Sequence, residues 1–329
     1  MKRTVFCVTL FATCLCHADI SHYFKKVTRE KTEKSALNGI YFIYLINLDQ
    51  RPEKLEKCLS QLKTHGISPY RFSAVCGWDL SIEAFTELGV KFLPGMLSDE
   101  WVVHFPPEKQ GTPDSDFLRE ESYGKTFFSR WITPGAIGCT LSHLSVLQDA
   151  YDAGYETIWV MEDDISVVQD PHLLPPLINQ LDALVSKKEW DILFTDIDTA
   201  DGIMYAAEND FESDLKGNLG FFWRPDIDLS DRSPFAKRTI LNKDFMKIGS
   251  RMRTHSMIIR RSGIKKILDF EKQHHIFIPY DHELAIVPSI QMFSLRYNLV
   301  THAVAPSDTR SAEVSEKAAW ENQDRKSVV

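Results

Sequence analysis

Apolar positions along the chain follow two patterns, which predict two kinds of element. Short stretches rich in apolar residues predict strands at residues 40–48, 70–75, 158–161, 190–194 and 253–260. The apolar runs at 40–48 and 158–161 are typical of strands buried on both faces of a parallel sheet. Apolar residues spaced three or four apart predict amphipathic helices, which we expect at residues 52–64, 136–153, 173–184 and 263–272. Because strands and helices alternate, the chain is predicted to be an α/β protein with a mainly parallel sheet flanked by helices.

Outside these elements the pattern is weaker. Residues 93–133 and 199–249 sustain no period, and loops of this length are usually functional or disordered. A last strand bearing His302 is predicted within residues 293–305, and Ser262 is predicted to cap the helix at 263–272. The folded domain is therefore expected to cover residues 37–305, followed by a polar and poorly ordered tail at 306–329.

Three consecutive carboxylates, Glu162, Asp163 and Asp164, follow the strand predicted at residues 158–161. Open α/β sheets bind ligands at the carboxyl ends of their strands. Adjacent carboxylates repel one another, so a site that holds them together usually supplies a cation. Alternation along an extended chain would point Glu162 and Asp164 to one side and Asp163 to the other. The pattern indicates a divalent-metal site completed by substrate phosphates, and its alternative is a solvated acidic turn.

The amino-acid composition is typical of a globular protein and bears on whether the protein binds nucleic acid. Of the 329 residues 43% are hydrophobic, and 38 Lys and Arg against 46 Asp and Glu give a net charge of −8. No dense Lys/Arg run occurs, so nucleic acid is not an expected partner, although a local basic pocket for phosphate is compatible with the sequence. Beyond residue 18 the cysteines are Cys58, Cys76 and Cys139, which we expect to be small buried side chains with one disulfide at most.

Residues 1–18 have the pattern of a secretory signal peptide. Lys2 and Arg3 precede an apolar run over residues 5–16, and small residues lead to Ala18. The run is too short to span a membrane comfortably, so cleavage after Ala18 and export to the periplasm or the medium are expected. The alternative is an uncleaved leader that anchors the protein peripherally on the cytoplasmic face of a membrane.

The helix predicted at residues 136–153 carries a histidine on its apolar side. Steps of 100° per residue place His143 on one stripe with Cys139, Val146 and Leu147. This position favours a core histidine with one hydrogen bond over a catalytic group.

Several ordered segments together resemble glycosyltransferase family 25, the group that holds bacterial lipooligosaccharide galactosyltransferases and animal collagen galactosyltransferases. The resemblance covers about residues 40–305. Each segment by itself is weak evidence for the family, whereas five segments in the family's order and spacing are hard to obtain by chance. The first four are INLDQRPEK at 46–54, FSAVCGWD at 72–79, GAIGCTLSHLSVL at 135–147 and VMEDDISV at 160–167, and the fifth is the pair SGIKKIL at 262–268 and PYDHEL at 279–284.

The resemblance implies a GT-A glycosyltransferase fold, an α/β sandwich built on a Rossmann-like half. It implies an inverting transfer of a hexose, usually galactose, from a UDP-sugar to a hydroxyl of an acceptor. The acceptor would be a glycan or glycolipid of the lipooligosaccharide kind, or a protein. The family's cofactor is a divalent cation, usually Mn²⁺, with Mg²⁺ as the alternative.

Candidate binding residues follow from this resemblance and from the acidic motif. The candidate metal ligands are Glu162, Asp164 and His302. The residues expected beside the nucleotide sugar are Asn47, Asp49, Arg51, Asp163 and His143.

Inversion in one in-line displacement requires a carboxylate that takes the acceptor's proton from the face opposite the leaving group. Asp281 is the first candidate for this base and Glu283 the second. The alternative for both acids is a stabilising position near a helix N-terminus.

Two features depart from the family pattern. Residues 253–261 (RTHSMIIRR) are more basic than expected, which leaves the acceptor open, and a secretory leader conflicts with a donor made in the cytoplasm. Two other classes of function stay open: an exported noncatalytic sugar- or nucleotide-binding protein with a degenerate glycosyltransferase fold, and a metal-dependent phosphohydrolase. The second is disfavoured because the sequence has no dense His/Asp cluster.

Overall fold

The structure is a computed structural model that describes residues 19–27, 37–98, 100–105, 115–197, 199–200, 203–204, 222–303 and 308–309. The predicted signal peptide lies outside these ranges, as does the predicted tail apart from residues 308–309. Within the described ranges, no helix has the length and apolar character needed to cross a membrane.

The described residues form many short strands and a smaller number of helices. The helices are α1 (Pro52–Lys63), α2 (Ile82–Leu88), α3 (Pro134–Asp152), α4 (Leu174–Val185), α5 (Ser233–Ala236), α6 (Arg261–His274) and α7 (Tyr280–Ile286). The strands are β1 (Phe42–Asn47), β2 (Tyr70–Ser73), β3 (Val90–Lys91), β4 (Trp101–Val103), β5 (Ser115–Phe117), β6 (Thr126–Ser129), β7 (Thr157–Glu162), β8 (Ile165–Val167), β9 (Ile192–Phe194), β10 (Thr199–Ala200), β11 (Ile203–Met204), β12 (Arg238–Ile240), β13 (Phe245–Ile248), β14 (Ser256–Arg260), β15 (Met292–Leu295) and β16 (Val300–His302).

A central eight-stranded sheet, in the order β12-β13-β15-β9-β14-β7-β1-β2, organises the fold. β1 pairs in parallel with both β2 and β7, and β9 pairs in parallel with β15. β14 is antiparallel to β7 and β9, and β13 is antiparallel to β12 and β15. Six of the eight strands therefore run in one direction, which confirms the predicted α/β class with a mainly parallel sheet, and β13 and β14 run against it.

Helices cover both faces of this sheet, which explains the continuous apolar run of β1. Side chains alternate between the faces of a strand. Ile43 and Leu45 belong to the core under α1 and α4, whereas Phe42, Tyr44 and Ile46 belong to the core under α3 and α6. Every residue of β1 is buried, and burying each large apolar side chain stabilises the fold by roughly 1.5–3 kcal/mol.

The prediction of an irregular stretch over residues 93–133 was wrong in part. β4, β5 and β6 lie within it and join β3 in a four-stranded antiparallel sheet, in the order β3-β6-β4-β5. Strands of three or four residues are too short to establish a period in the sequence, and their apolar positions are separated by turns.

The C-terminal part of the domain also differs from the prediction. The single strand predicted within residues 293–305 is two strands: β15 lies in the central sheet, and β16 pairs with β8 with His302 opposite Ile165. Helix α6 begins at Arg261, so Ser262 is not its N-cap. The Ser262 hydroxyl instead donates to Asp191 Oδ1 at 2.7 Å, a partner more than 70 residues distant that local sequence could not indicate.

Candidate active site

The acidic motif and the end of β1 meet at one edge of the central sheet. β1 and β7 are parallel neighbours with Ile46 opposite Glu162, so Asn47 and the three carboxylates emerge at the same edge. A pocket enclosing about 620 Å³, including space open to solvent, lies there. Its lining includes Asn47, Lys54, Trp78, Gly135, Cys139, Glu162, Asp163, Asp164 and Asp308.

Close contact between two glycines brings the start of α3 to this pocket. A Cβ added to Gly138 would lie 2.4 Å from the backbone nitrogen of Gly77, and one added to Gly77 would lie 1.7 Å from the carbonyl oxygen of Pro134. Larger residues at either position would push the helix away. The glycines therefore place Gly135 and Cys139 on the pocket wall.

Asn47 holds Asp163 in place. Its amide Nδ2 donates to Asp163 Oδ2 at 2.7 Å and to the carbonyl of Arg51 at 2.9 Å, and its Oδ1 accepts from Arg71 Nε at 2.9 Å. Burial raises the pKa of Asp163 to about 6, aided by nearby acids and opposed by Asn47 and Lys54. A nearby cation or hydrogen-bond donor would favour the charged form of this carboxylate.

Glu162 is held by two neighbours. Its Oε1 accepts hydrogen bonds from His143 Nε2 at 3.0 Å and from Thr254 Oγ1 at 2.7 Å. Burial alone would raise the pKa of Glu162, but these bonds and the charge of His143 outweigh it and lower the pKa. His143 is buried and makes this one hydrogen bond among the described residues, as its helical position predicted.

Asp164 is the least compensated of the three carboxylates. Its Oδ1 is buried and has no hydrogen-bond partner among the described residues. Burial raises the pKa of Asp164 to about 7, and the charges of Glu162 and Asp163 add to this rise. An anionic oxygen in this position needs a cation, so the geometry fits a metal ligand.

Asp49 and Arg51 lie at the rim rather than in the pocket lining. Asp49 accepts from Arg71 Nη2 at 2.5 Å and from Ser73 Oγ at 2.7 Å. The pKa of Asp49 is lowered, because these hydrogen bonds and the charge of Arg71 outweigh the effect of burial. Arg51 extends towards the pocket, where its guanidinium binds Asp308.

The loop before β14 connects the remaining candidates. Arg253 has a φ of 73°, an uncommon left-handed conformation for a residue with a side chain. Its backbone N–H donates to Asp281 Oδ2 at 2.7 Å, and its Nη1 lies 2.7 Å from His302 Nε2. Burial and the charge of Arg253 lower the pKa of His302. This lowering favours the neutral form of His302, the form that binds a metal, but its ring nitrogen lies against Arg253.

Asp281 lies in the first turn of α7, where its Oδ1 also accepts from the backbone N–H of His282 at 3.0 Å. It is near the pocket, since its charge helps to raise the pKa of Cys139, after burial and the charge of Glu162. The structure thus shows both a hydrogen bond to an N–H group in the first turn of α7 and proximity to Cys139 on the pocket wall. The assignment of Asp281 as the base stays a prediction.

Glu283 lies in the interior, closed to solvent. Its side chain is 0% exposed, and its oxygens accept from Arg224 Nη1 at 2.6 and 2.7 Å and from the backbone N–H groups of Phe277 and Ile278. A carboxylate in this buried ion pair cannot take a proton from a bound acceptor. The geometry makes Glu283 a structural residue and leaves Asp281 as the candidate base.

The described residues bring together one group of three potential metal-binding side chains. Donor atoms of Cys139, His143 and Glu162 all lie within 4.8 Å of one another. Glu162, Asp164 and His302 are not preassembled in the same way. Cys58, Cys76 and Cys139 are free thiols, which agrees with at most one disulfide, although Cys76 and Cys139 are only half-buried.

Sequence reasoning did not single out three residues that the structure places here. Lys54 lines the pocket one helical turn after Arg51, and that spacing was a usable signal. Thr254 binds Glu162 from the loop before β14, and Asp308 comes from the predicted tail. The sequence around Thr254 and Asp308 does not indicate these contacts, because both residues are distant in sequence from their partners and only the tertiary fold brings them together.

Comparisons with known proteins give one consistent family. The family described as "Glycosyltransferase family 25 (LPS biosynthesis protein)" matches residues 40–284. The chain is 28% identical over 176 residues to a "Glycosyltransferase 25 family member" of Aedes aegypti, a match that covers 54% of this chain and 23% of that protein. A protein of the same description from Drosophila melanogaster is 28% identical over 172 residues, 52% of this chain and 23% of its own length.

A human relative carries a different description. "Inactive glycosyltransferase 25 family member 3" of Homo sapiens is 28% identical over 169 residues, 51% of this chain and 23% of its own length. The matched segments thus span about a quarter of these relatives. Because the family match extends over most of the chain and includes β1, the acidic motif and the first residues of α7, the chain belongs to glycosyltransferase family 25.

Proposed function

We propose that this protein transfers a hexose from a UDP-sugar to a hydroxyl group of an acceptor. The observation that carries the proposal is the pocket where the acidic motif faces Lys54, with Arg51 at the rim, at the carboxyl ends of β1 and β7. Carboxylates beside two cations suit a ligand that carries both a diphosphate and a metal ion. Membership of family 25 supports glycosyl transfer as the reaction.

A divalent cation, Mn²⁺ or Mg²⁺, fits the chemistry of the acidic motif. The observation that favours it is the buried Oδ1 of Asp164, which has no hydrogen-bond partner in the part of the chain that the structure describes. Glu162 and Asp163 would complete the oxygen ligands. When bound, the cation would act as a Lewis acid on the diphosphate and so stabilise the leaving nucleotide.

The surrounding residues have distinct roles in this proposal. His143 and Thr254 hold Glu162 ionised and oriented. Asn47 orients Asp163. Arg51 and Lys54 supply positive charge for the diphosphate.

Asp281 is the proposed general base for the acceptor hydroxyl. The backbone N–H of Arg253 fixes its Oδ2, and its Oδ1 is held by His282. Backbone hydrogen bonds orient a carboxylate without neutralising its charge, which leaves it able to accept a proton. Inverting transfer would require the acceptor to approach between Asp281 and the sugar.

Galactose is the sugar we expect, and a glycan, glycolipid or protein is the expected acceptor. A noncatalytic nucleotide-sugar-binding protein is the second candidate, favoured by the relative whose description is inactive. The two candidates differ in turnover and not in donor binding.

The test is release of UDP by the purified protein from a panel of UDP-sugars, with Mn²⁺, Mg²⁺ or EDTA, and with and without hydroxyl acceptors. We expect metal-dependent release with one hexose donor, stimulated by an acceptor. Asp164→Asn should lose this release. Asp269→Asn should not, because Asp269 is an exposed acid paired with Lys265 on α6.

The outcomes separate the candidates. Metal-dependent UDP binding without release from any donor would favour the noncatalytic protein. Neither binding nor release with any UDP-sugar would contradict the proposal as a whole.

A further inference from the structure

Asp308 places a carboxylate against the two cations of the pocket. Its Oδ1 accepts from Arg51 Nε at 2.9 Å and from Arg51 Nη2 at 2.6 Å, and its Oδ2 accepts from Lys54 Nζ at 2.5 Å. The side chains of Asp308 and Lys54 are only 11% and 14% exposed. These ion pairs are therefore shielded from solvent more than ordinary surface pairs, which contribute little.

Backbone contacts hold residues 308–309 in this position. The Trp78 indole N–H donates to the carbonyl of Asp308 at 3.4 Å, and the Thr133 hydroxyl donates to the carbonyl of Thr309. A Cβ added to Gly135 would lie 2.7 Å from that Thr309 oxygen. The segment thus fits closely against the start of α3.

Without Arg51 and Lys54, the position of Asp308 would be unfavourable for a carboxylate. Asp308 is close enough to the acidic motif that its charge adds to the burial that raises the pKa of Asp163. Carboxylates at short range repel one another. The positive charges of Arg51 and Lys54 offset this repulsion, which is why a carboxylate is tolerated at position 308. Arg and Lys bind carboxylate and phosphate oxygens through the same charge-assisted hydrogen bonds.

We propose that Asp308 is an internal competitor for an anion subsite formed by Arg51 and Lys54. A ligand with a phosphate group must displace the Asp308 carboxylate before it can bind both cations. The identity of that ligand as a nucleoside diphosphate rests on the proposed function, whereas the competition rests on the contacts of Asp308. If Asp308 leaves Arg51 and Lys54 free in about a tenth of the molecules, the apparent Kd for the anion is about ten-fold higher than the Kd of the free subsite.

The test compares Kd values by titration calorimetry for UDP and for pyrophosphate. Asp308→Asn and Asp308→Ala remove the competing charge, and we expect each to tighten binding about ten-fold. Glu53→Gln is the matched control, because it removes a charge 3.6 Å from Arg51 Nη1 on a side chain that is 62% exposed. That control should change the Kd by about two-fold or less.

Tighter binding of either anion by the Asp308 variants, without the same gain in Glu53→Gln, supports the competition. Unchanged or weaker binding, or an equal gain in the control, overturns it. If pyrophosphate binds more tightly but UDP binds no variant, the competition stands and the nucleotide donor of the proposed function fails. If neither anion binds any variant, the anion subsite itself is refuted.

Discussion

Asp164→Asn tests the acidic motif through stability as well as through metal binding. In the folded protein burial raises the pKa of Asp164 from 3.8 to about 7. At about 1.4 kcal/mol for each pH unit of difference, an ionised Asp164 costs the metal-free fold about 4 kcal/mol. Below about pH 4 both the folded and unfolded states are protonated and the cost is absent. It grows as the pH rises and is complete above pH 7.

Asparagine has nearly the same shape and no charge, so the variant should not show this loss. In EDTA at pH 8 we expect Asp164→Asn to be more stable than the wild type by up to about 4 kcal/mol, and the difference should shrink at pH 5. Urea denaturation at both pH values measures it, with Asp269→Asn as the exposed control. Adding Mn²⁺ at pH 8 should stabilise the wild type and not the variant, because only a protein that binds the ion gains stability from it.

Two results would refute this reasoning. Equal losses of stability from pH 5 to pH 8 in wild type and variant would show that Asp164 is not a strained buried charge. Equal stabilisation of both proteins by Mn²⁺ would remove Asp164 from the metal ligands.

Other substitutions test separate parts of the site and its support. Asp281→Asn should lower transfer by roughly 10²–10⁴-fold with unchanged UDP affinity if Asp281 is the base, and near-normal transfer by a stable protein would reject that role. Glu283→Gln removes one of the two carboxylates that bind buried Arg224 and leaves Asp226 as the other; breaking this buried pair should cost up to about 3–5 kcal/mol in urea denaturation, so a loss below about 1 kcal/mol would contradict the ion-pair assignment. Gly77→Ala should lower the melting temperature, because its Cβ would overlap the Pro134 carbonyl, and an unchanged melting temperature would show that α3 can shift freely.

Local sequence determined the elements on which the site is built. The apolar runs of β1 and β7 are readable because both strands are buried on both faces, which requires apolar residues throughout. The acids at the end of β7 lie at the carboxyl edge as predicted, because β1 and β7 are parallel neighbours whose carboxyl ends meet there. The helical period of α3 likewise indicated that His143 is buried.

Tertiary structure alone decided which side chains meet at that edge. Glu283 and Asp281 are two residues apart in α7, yet Glu283 binds Arg224 in the interior, whereas Asp281 binds backbone N–H groups and lies near Cys139. Asp308 reaches Arg51 across more than 250 residues of chain. Such pairings depend on long-range packing and on the balance of burial against charge, and a local pattern of apolar and polar residues contains neither.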